Sequence, residues 1–514
     1  MQFDHEQNNN DNLEFDNLNS EKINDQQQIR LKHLQELVDL GLNPYEITKV
    51  DRTCTLKQFH EKYEHYSHDE LHEKGINFKE TVAGKVMAIR QTFGVIQDFS
   101  SKLQFYINKK EFDVNQFHVF KSLLDIGDYV EIYGYPMKTM TGELTIKVLN
   151  FKIIAKSLRP LPEKFHGLVN EELKVRNRYI DLIMNEDARN KFVMRSKLIS
   201  EIRKYMENLG YIEVETPILQ ESIGGASARP FITKHNTLNR NLYLRIATEI
   251  PLKKIIVGQF EKIFEIGRIF RNEGIDAVHN PEFTSMEAYC AYSDLNDMMN
   301  LCEGLFHNLA KMNNISTVSF RQHQIDLTKS FKKITMIDAI KHETNIDFSN
   351  LSDDEAIQIA KKHGIKMQEH EKTWGHIVSL FFEAFCEDKL VDPTFVLDHP
   401  LDITPLAKKK KDDPRLTHRF ELFIGGKEFA NAYSELNDPI DQKERFINQT
   451  KEKDLGNSEA NENDKDFLKA MEYALPPTGG IGIGIDRLVM LFTQTDSIRQ
   501  ILFFPTNKEI NKSN

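Results

Sequence analysis

The sequence has few cysteines and no long apolar run, and both absences narrow the class of protein. Its 514 residues include four cysteines, Cys54, Cys290, Cys302 and Cys386, whose spacing fits neither a zinc site nor a disulfide framework. No run of about 18 apolar residues occurs, which argues against a membrane-spanning helix. The first ten residues lack the apolar core of a secretory signal. We therefore expect a cytoplasmic protein with reduced thiols and no membrane partner.

Net positive charge is also missing. Lys and Arg number 67 and Asp and Glu 78, which gives a net charge of −11. This balance argues against a protein coated in positive potential for nonspecific DNA binding. A local basic patch can still act within an acidic chain, so a nucleic-acid partner stays open. Such a contact would depend on shape and specific bases as well as on charge.

The first third of the chain changes character twice. Residues 1–26 are rich in Asn, Asp, Gln and Glu and cannot bury enough apolar surface to become ordered, so we predict a disordered tail. Apolar residues at helical spacing in 27–42 predict an amphipathic helix. Short β-rich runs within 78–155 then favour a small barrel of about five strands. We assign 27–157 to one domain, although a purely structural barrel would give the same pattern.

From residue 158 to 514 the sequence is mixed α and β. The apolar spacing predicts a helix over 186–209 that Gly210 ends, and "YIEVETPIL" (211–219) then reads as a strand. Residues 330–390 are predicted to be mostly helical. We assign this whole stretch to a second domain.

The segment "FRNEGIDAVHNPEF" joins two predicted strands. Arg271 lies near the end of the first strand, and "EFTSMEAYCAY" forms the second. Because side chains alternate along a strand, one face of the second strand carries Phe283, Ser285, Glu287 and Tyr289. The other face, with Met286 and its neighbours, is apolar enough to be core. An aromatic ring, a hydroxyl and a carboxylate on one face indicate a binding surface.

The segment "RFELFIGGKEFANAYSELND" (419–438) predicts a hairpin with its turn at Gly425 and Gly426. Pairing across that turn brings Glu421 and Glu428 to one face. Two close carboxylates suit Mg²⁺ that bridges to substrate phosphates, although a pair of solvated glutamates would look the same. The same alternation puts Asn431, Tyr433 and Glu435 on the opposite face. If they serve one site with the glutamates, a bulge near Ala430–Asn431 is required.

The segment "GGIGIGIDRLVMLF" (479–492) alternates glycine with isoleucine and then becomes helical. Glycines on one strand face let a flat ligand lie against the backbone. Arg487 falls in the first turn of the predicted helix, with Asp486 as a plausible cap. Neither a dinucleotide fingerprint nor a Walker lysine is present. Taken alone, the segment is explained more simply by tight strand–helix packing.

In this order and after a barrel, the segments resemble the bacterial-type class II lysyl-tRNA synthetases. Motif one of that class is similar to the 186–209 helix plus "YIEVETPIL", with Pro217 as its hallmark. Motif two is similar to "FRNEG…HNPEFTSMEAY" and motif three to "GIGIGIDRLVMLF". The lysine-specific variety is indicated by "GGASARPF", "RIATEIPLKK" and "YSELND". The resemblance covers roughly residues 27–505.

The resemblance implies an α+β protein: an N-terminal OB-fold barrel that binds the anticodon, then a class II antiparallel sheet of six strands flanked by helices. It implies a ligase that joins L-lysine to ATP, releases pyrophosphate and passes lysine from the adenylate to tRNA(Lys). Mg²⁺ would accompany ATP, and motif one would form a homodimer interface.

The resemblance also implies residue roles. The catalytic pair would be Arg271 and Arg487. ATP would be bound by Arg271, His279, Asn280, Phe283, Glu421 and Arg487. Mg²⁺ would be held by Glu421 and Glu428. Lysine would be bound by Gly225, Glu249, Arg271, Glu287, Tyr289, Asn431, Tyr433, Glu435 and Gly484. The anticodon would be read by Arg90, Phe93 and Gln104.

Other functions are compatible with parts of the pattern. A ligase for aspartate or asparagine would not need acids at positions 249 and 435. A lysine ligase that modifies a protein would lack the barrel, and an inactive tRNA-binding paralogue would not need to retain Arg271, Glu421, Glu428 and Arg487. Two positions depart from the family pattern: Val278 stands where a basic residue is common, and Tyr433 where many relatives have Phe.

Overall fold

A computed structural model describes residues 24–162, 170–457 and 464–507. The chain divides into two compact units, Met1–Lys174 and Val175–Asn514. Most of the predicted tail lies outside the described residues. Its last two residues, 25 and 26, are helical, because the Asn24 side chain accepts the Gln27 N–H and so caps the first helix. No helix in the described part of the chain is long and apolar enough to cross a membrane.

The first unit is built on a closed five-stranded barrel, as predicted. The strands are β1 (Glu80–Arg90), β2 (Phe93–Gln97), β3 (Lys102–Tyr106), β4 (Tyr129–Lys138) and β5 (Leu144–Ala155). They pair in the order β1-β2-β3-β5-β4, and all pairs are antiparallel except β3 with β5. The helices are α1 (Asp25–Asp39), α2 (Leu56–Tyr63), α3 (His68–Lys74) and α4 (Val114–His118). Alternate side chains such as Val130 and Ile132 fill the barrel interior, which leaves the other face of each strand for solvent or a ligand.

The chain continues through several helices. Those up to the first long helix of the second unit are α5 (Glu171–Arg176), α6 (Arg178–Met184) and α7 (Glu186–Asn208). The later ones are α8 (Glu249–Val257), α9 (Leu295–Met312), α10 (Met336–Thr344), α11 (Asp353–Lys362), α12 (Trp374–Phe385), α13 (Pro439–Asp454), α14 (Lys465–Met471) and α15 (Ile485–Phe492). The predicted long helix is confirmed as α7: Asn185 caps its start, and Gly210 follows it with a φ of 81°. Helices α10 to α12 pack around a second core that contains Trp374.

The second unit centres on an eight-stranded sheet. Its strands are β6 (Ile212–Glu213), β10 (Lys262–Phe270), β11 (Glu282–Ala291), β14 (Lys332–Thr335), β15 (Thr394–Leu397), β16 (Arg419–Ile424), β17 (Lys427–Ser434) and β18 (Thr478–Gly484). Two smaller sheets contain β7 (Leu219–Gln220), β8 (Ile232–His235), β9 (Arg240–Leu244), β12 (Thr317–Phe320) and β13 (His323–Asp326). The main order is β14-β15-β16-β17-β18-β11-β10-β6. The central six strands are antiparallel, as expected, and β14 and β6 add a parallel strand at each edge, which makes the sheet mixed.

The strand predicted over 211–219 is wrong in its length. Only β6 and the first residue of β7 fall within it, and these two strands belong to different sheets. Pro217 lies between them and has no N–H to continue a ladder. The neighbouring Thr216 instead donates its N–H and hydroxyl to Glu265 of β10. This side-chain contact holds the segment against β10 beyond the end of its short ladder with β6.

Candidate active site

A cavity of about 450 Å³ opens on one face of the central strands of the eight-stranded sheet. Its walls contain all the candidate residues predicted outside the barrel. They are Gly225, Glu249, Arg271, His279, Asn280, Phe283, Glu287, Tyr289, Glu421, Glu428, Asn431, Tyr433, Glu435, Gly484 and Arg487. Residues more than 250 positions apart in sequence therefore share one site.

Strand β11 supplies one wall by simple alternation. Phe283, Ser285, Glu287 and Tyr289 line the cavity, while Met286 and Ala288 are buried in the hydrophobic core. The alternation predicted from the sequence is confirmed from Ser285 to Tyr289, whereas Thr284, predicted on the other face, also borders the cavity. Opposite these side chains, the register with β18 pairs Ser285, Glu287 and Tyr289 with Gly484, Gly482 and Gly480.

Gly480 is a glycine because two side chains occupy the space in front of it. A Cβ at this position would lie 1.9 Å from an oxygen of Glu435 and 2.6 Å from the Tyr289 ring. Any side chain would therefore displace one of these groups. The glycine keeps a carboxylate and a phenol against the sheet.

The β16–β17 hairpin supplies a second wall and contains the bulge that the sequence required. Gly425 and Gly426 have φ values of 58° and 70°, which makes the two-residue turn. Leu422 pairs with Ala430 and Phe423 with Glu428, so Phe429 is the extra residue. The bulge lies one residue before the expected position. Because of the bulge, side chains before and after Phe429, such as Glu428 and Asn431, face the same cavity.

Two guanidinium groups mark one end of the cavity. The Arg271 guanidinium lies 5.3 Å from the Phe283 ring centroid, and its buried Nε has no hydrogen-bond partner among the described residues. Arg487 donates to the Glu428 carbonyl at 2.6 Å and to Nε2 of His279 at 3.0 Å. Because that nitrogen accepts, the other ring nitrogen of His279 donates to Asp276 at 2.8 Å.

Asn280 is held in the loop between β10 and β11. Its amide nitrogen donates to the Glu282 carbonyl at 2.7 Å, and its oxygen accepts the Thr506 N–H at 3.2 Å. Val278 stands at the position where the family pattern commonly has a basic residue. It lines the cavity and packs against the hydrophobic core. The loop thus offers an apolar group where a cation was expected.

Carboxylates and a third guanidinium lie beside this end. Arg419 donates to Glu421 at 2.6 Å and to the Asn431 oxygen at 3.1 Å. Enclosure within the cavity and the nearby Glu421 raise the pKa of Glu428, and the neighbouring arginines oppose that rise. Glu421 and Glu428 therefore form a pair that a cation would stabilise.

The opposite end of the cavity is acidic. Glu287 accepts the Thr248 N–H at 3.0 Å and the Tyr289 hydroxyl at 3.1 Å. Burial raises the pKa of Glu287. Burial also raises the pKa of Glu435 to about 8, against the opposing effect of Lys253. Glu249 is the third acid, and only 5% of it is exposed. This end suits a cationic ligand.

Tyr433, the second departure from the pattern, lies between the two ends. Its hydroxyl accepts from the Asn431 amide at 3.3 Å, and the Arg419 guanidinium lies 5.6 Å from its ring centroid. The hydroxyl that Tyr433 adds relative to Phe is therefore hydrogen-bonded to another residue of the cavity wall.

Sequence reasoning missed Arg419 and Lys253. Arg419 lies two residues before Glu421 on the same strand face, so alternation could have placed it in the site. Lys253 lies four residues after Glu249 on helix α8, the spacing of an ion pair. The prediction that Asp486 caps helix α15 is wrong, because Gly484 is the residue that precedes the helix. Asp486 lies in the first turn, where its carboxylate accepts from the Thr284 N–H at 2.7 Å and from Arg195.

The three barrel candidates lie together on the outer face of β1, β2 and β3. Arg90 pairs with Phe93 across a tight turn, and Phe93 pairs with Tyr106 at a ring-centroid distance of 4.7 Å. Gln104 accepts the Thr145 hydroxyl at 2.7 Å. Phe93 is half-buried and is not part of the barrel core. An aromatic ring beside an amide on a barrel surface suits contact with unstacked bases.

Comparison with known protein families supports both halves of this description. Residues 170–508 match the family described as tRNA synthetases class II (D, K and N). Residues 80–154 match the OB-fold nucleic acid binding domain.

Curated relatives match almost the whole chain. A lysine–tRNA ligase of Ureaplasma parvum serovar 3 is 56% identical over 492 residues, which are 96% of this chain and 99% of that protein. A lysine–tRNA ligase of Malacoplasma penetrans is 54% identical over 489 residues, 95% of this chain and 99% of the relative. A lysine–tRNA ligase of Staphylococcus saprophyticus is 49% identical over 492 residues, with shares of 95% and 99%. This chain therefore belongs to the lysine–tRNA ligase family of the class II tRNA synthetases.

Proposed function

We propose that this protein is an ATP-dependent lysine–tRNA ligase, which forms lysyl-adenylate and pyrophosphate and then transfers lysine to tRNA(Lys). One observation carries the proposal. One cavity holds Arg271 beside the Phe283 ring at the start of strand β11, and three acids around Tyr289 further along the same strand. Lysine and ATP joined through the α-phosphate would need this arrangement. We place this activity in the cytoplasm, where the amino acid, ATP and tRNA meet for protein synthesis.

In the first step, the lysine carboxylate attacks the α-phosphorus and pyrophosphate leaves. No side-chain nucleophile is required, so the protein contributes positioning and charge neutralisation. Arg271 would bridge the carboxylate and the α-phosphate, a bidentate task that suits a guanidinium. Phe283 would lie under the adenine ring and Arg487 over its other face. His279 and Asn280 would hold the nucleotide from the loop between β10 and β11.

Selection of lysine would depend on the acidic end. Glu435 and Tyr289 would receive the side-chain ammonium, with Glu287 beside them. Glu249 and the backbone at Gly225 would receive the α-ammonium. Asn431 would assist at the carboxylate, and Tyr433 and Gly484 would complete the wall. An uncharged amino acid would leave a buried acid unpaired, at a cost of roughly 1–3 kcal/mol.

The residues present fit Mg²⁺ as the companion of ATP. Glu421 and Glu428 are the carboxylates that would hold it. A nearby cation would stabilise the ionised form of Glu428 and so lower its raised pKa. Two carboxylates do not fill the octahedral shell of Mg²⁺, and waters and phosphate oxygens commonly complete such sites. When bound, the ion would neutralise negative charge on the phosphates.

The barrel would read the tRNA anticodon. Phe93 offers a ring for one base, and stacking of this kind contributes about 1–3 kcal/mol. Gln104 and Arg90 would add hydrogen bonds to bases or phosphates beside it. Arg90 is exposed at the strand end, so its contact depends most on the bound RNA.

We further propose a homodimer formed through the segment that follows α7. Apolar side chains are exposed there on short strands that do not belong to the central sheet, including Leu219 at 47% and Ile232 at 64%. Exposed apolar surface of this kind favours a protein interface.

Amino-acid-dependent ATP–pyrophosphate exchange tests the proposed function. We expect exchange with L-lysine and little or none with aspartate or asparagine, because the acidic end repels the side-chain carboxylate of aspartate and is left unpaired by the neutral amide of asparagine. Charging of tRNA(Lys) transcript should follow. Equal exchange with aspartate would contradict the proposed substrate, and no exchange with any amino acid would favour an inactive tRNA-binding protein.

A further inference from the structure

Lys253 is a buried cation placed behind the acidic end of the cavity. It lies on helix α8, one turn after Glu249, and its side chain has no exposed surface. It is absent from the cavity wall, whereas Glu249 and Glu435 both line the wall. Its ammonium group therefore reaches the two acids from the protein side of the cavity wall.

The Lys253 ammonium joins the two acids. It donates to Glu249 at 2.5 Å and forms an ion pair with Glu435, which directly follows strand β17. From helix α14 the Phe467 ring faces the ammonium at 5.9 Å, and Glu287 of β11 is the remaining acid near Glu435. A buried ammonium is costly unless it is paired, so this contact fixes the positions of both carboxylates.

The charges at this end can be counted. Glu249, Glu287 and Glu435 would carry three negative charges when ionised, and Lys253 carries one positive charge. The net charge of these four side chains is then −2, which balances the two positive charges on the α-ammonium and side-chain ammonium of lysine. The substrate carboxylate is left for the guanidinium end.

We propose that Lys253 is a positioning residue for the amino-acid substrate: it bridges Glu249 and Glu435 and sets the charge of the acidic end to match the two ammonium groups of lysine. The inference rests on the proposed function. Lys253 acts through the two acids and does not touch the substrate.

Loss of this cation has a defined electrostatic consequence. Lys253 favours the ionised form of Glu435, so its removal favours the protonated form. A protonated Glu435 cannot pair with the substrate ammonium. Lysine binding should therefore weaken, and a higher pH should be needed to ionise the acid.

The test compares K253M, K253Q and K253R with K254M in lysine-dependent ATP–pyrophosphate exchange between pH 6.5 and 9. Lys254 is the matched control, since it is the next residue on α8, is partly exposed and pairs with Asp466 at 2.7 Å away from the cavity wall. K253M should raise KM for lysine about tenfold or more at pH 7.5, leave KM for ATP unchanged and move the acidic limb of kcat/KM for lysine to higher pH. K254M should match the wild type in all three.

The other variants separate charge from hydrogen bonding and from folding. K253R keeps the charge and should keep the wild-type acidic limb. K253Q keeps hydrogen-bond donors without the charge, so it should shift the limb as K253M does, and it carries the test if thermal unfolding shows that K253M does not fold. An unshifted limb in folded K253M or K253Q would overturn the inference. Absence of exchange in the wild type would instead overturn the proposed function.

Discussion

Replacing Arg271 with alanine should lower lysine-dependent ATP–pyrophosphate exchange by about 10²–10³-fold. Arg271 follows strand β10 directly and lies over the Phe283 ring. Its buried Nε has no partner in the described residues, so a ligand is the group that would complete its hydrogen bonding. Its loss would remove the bridge between the lysine carboxylate and the α-phosphate, which lowers kcat/KM for both substrates.

The matched control is Arg268→Ala on the same strand. Arg268 is 3.5 Å from Glu282, nearly half exposed and absent from the cavity wall. We expect wild-type exchange for this variant, and Tm values for both within a few degrees of the wild type. Arg271→Lys should recover little, since an ammonium cannot bridge two groups in a bidentate manner. Full exchange activity in Arg271→Ala would contradict the proposed role of Arg271 in adenylate formation.

Replacing Glu435 with glutamine should lower kcat/KM for lysine by about 10²-fold or more and leave KM for ATP unchanged. The glutamine is nearly isosteric, so the space beside Gly480 and Tyr289 is preserved and the charge alone is lost. It also leaves Lys253 with one acid in place of two.

The pH dependence gives this prediction a second readout. Burial raises the pKa of Glu435 to about 8 in the free protein, so the acid is increasingly protonated as the pH falls below that value. Wild-type kcat/KM for lysine should therefore fall with pH below about 8, because the ionised acid is the form that binds the ammonium. The glutamine variant should show a weaker limb, because only Glu287, whose pKa burial also raises, is left to titrate beside the ammonium.

Glu80→Gln is the matched control for loss of a buried acid. Glu80 lies in the first unit, where it accepts from Lys62 at 2.9 Å and Tyr63 at 2.7 Å. Its replacement should lower stability by about 1–3 kcal/mol without changing KM for lysine. An unchanged KM for lysine in Glu435→Gln would mean that the acidic end does not bind the substrate side chain.

Alternation along strands was enough to find one wall of the site. The face that carries Phe283, Glu287 and Tyr289 is where the sequence placed it. Alternation failed across the β16–β17 hairpin, because an extra residue at Phe429 reverses the faces beyond it. Phe429 packs in the core against Phe306 and Phe320, contacts that no local pattern reveals.

Tertiary contacts also explain the other differences. Pro217 interrupts a segment that otherwise has strand composition, and Glu265 takes the hydrogen bonds of Thr216. Arg419 and Lys253 each read as ordinary charged residues in sequence. They become part of the site because strand β16 and helix α8 carry them to acids that the fold brings together.

A crystal structure with a nonhydrolysable lysyl-adenylate analogue tests the central claim most directly, because one molecule would have to reach both ends of the cavity. We expect the adenine between Phe283 and Arg487, the phosphate mimic at Arg271 and the side-chain ammonium at Glu435. An analogue bound with its ammonium away from Glu435, or with its adenine away from Phe283, would contradict a shared site for nucleotide and lysine on this sheet.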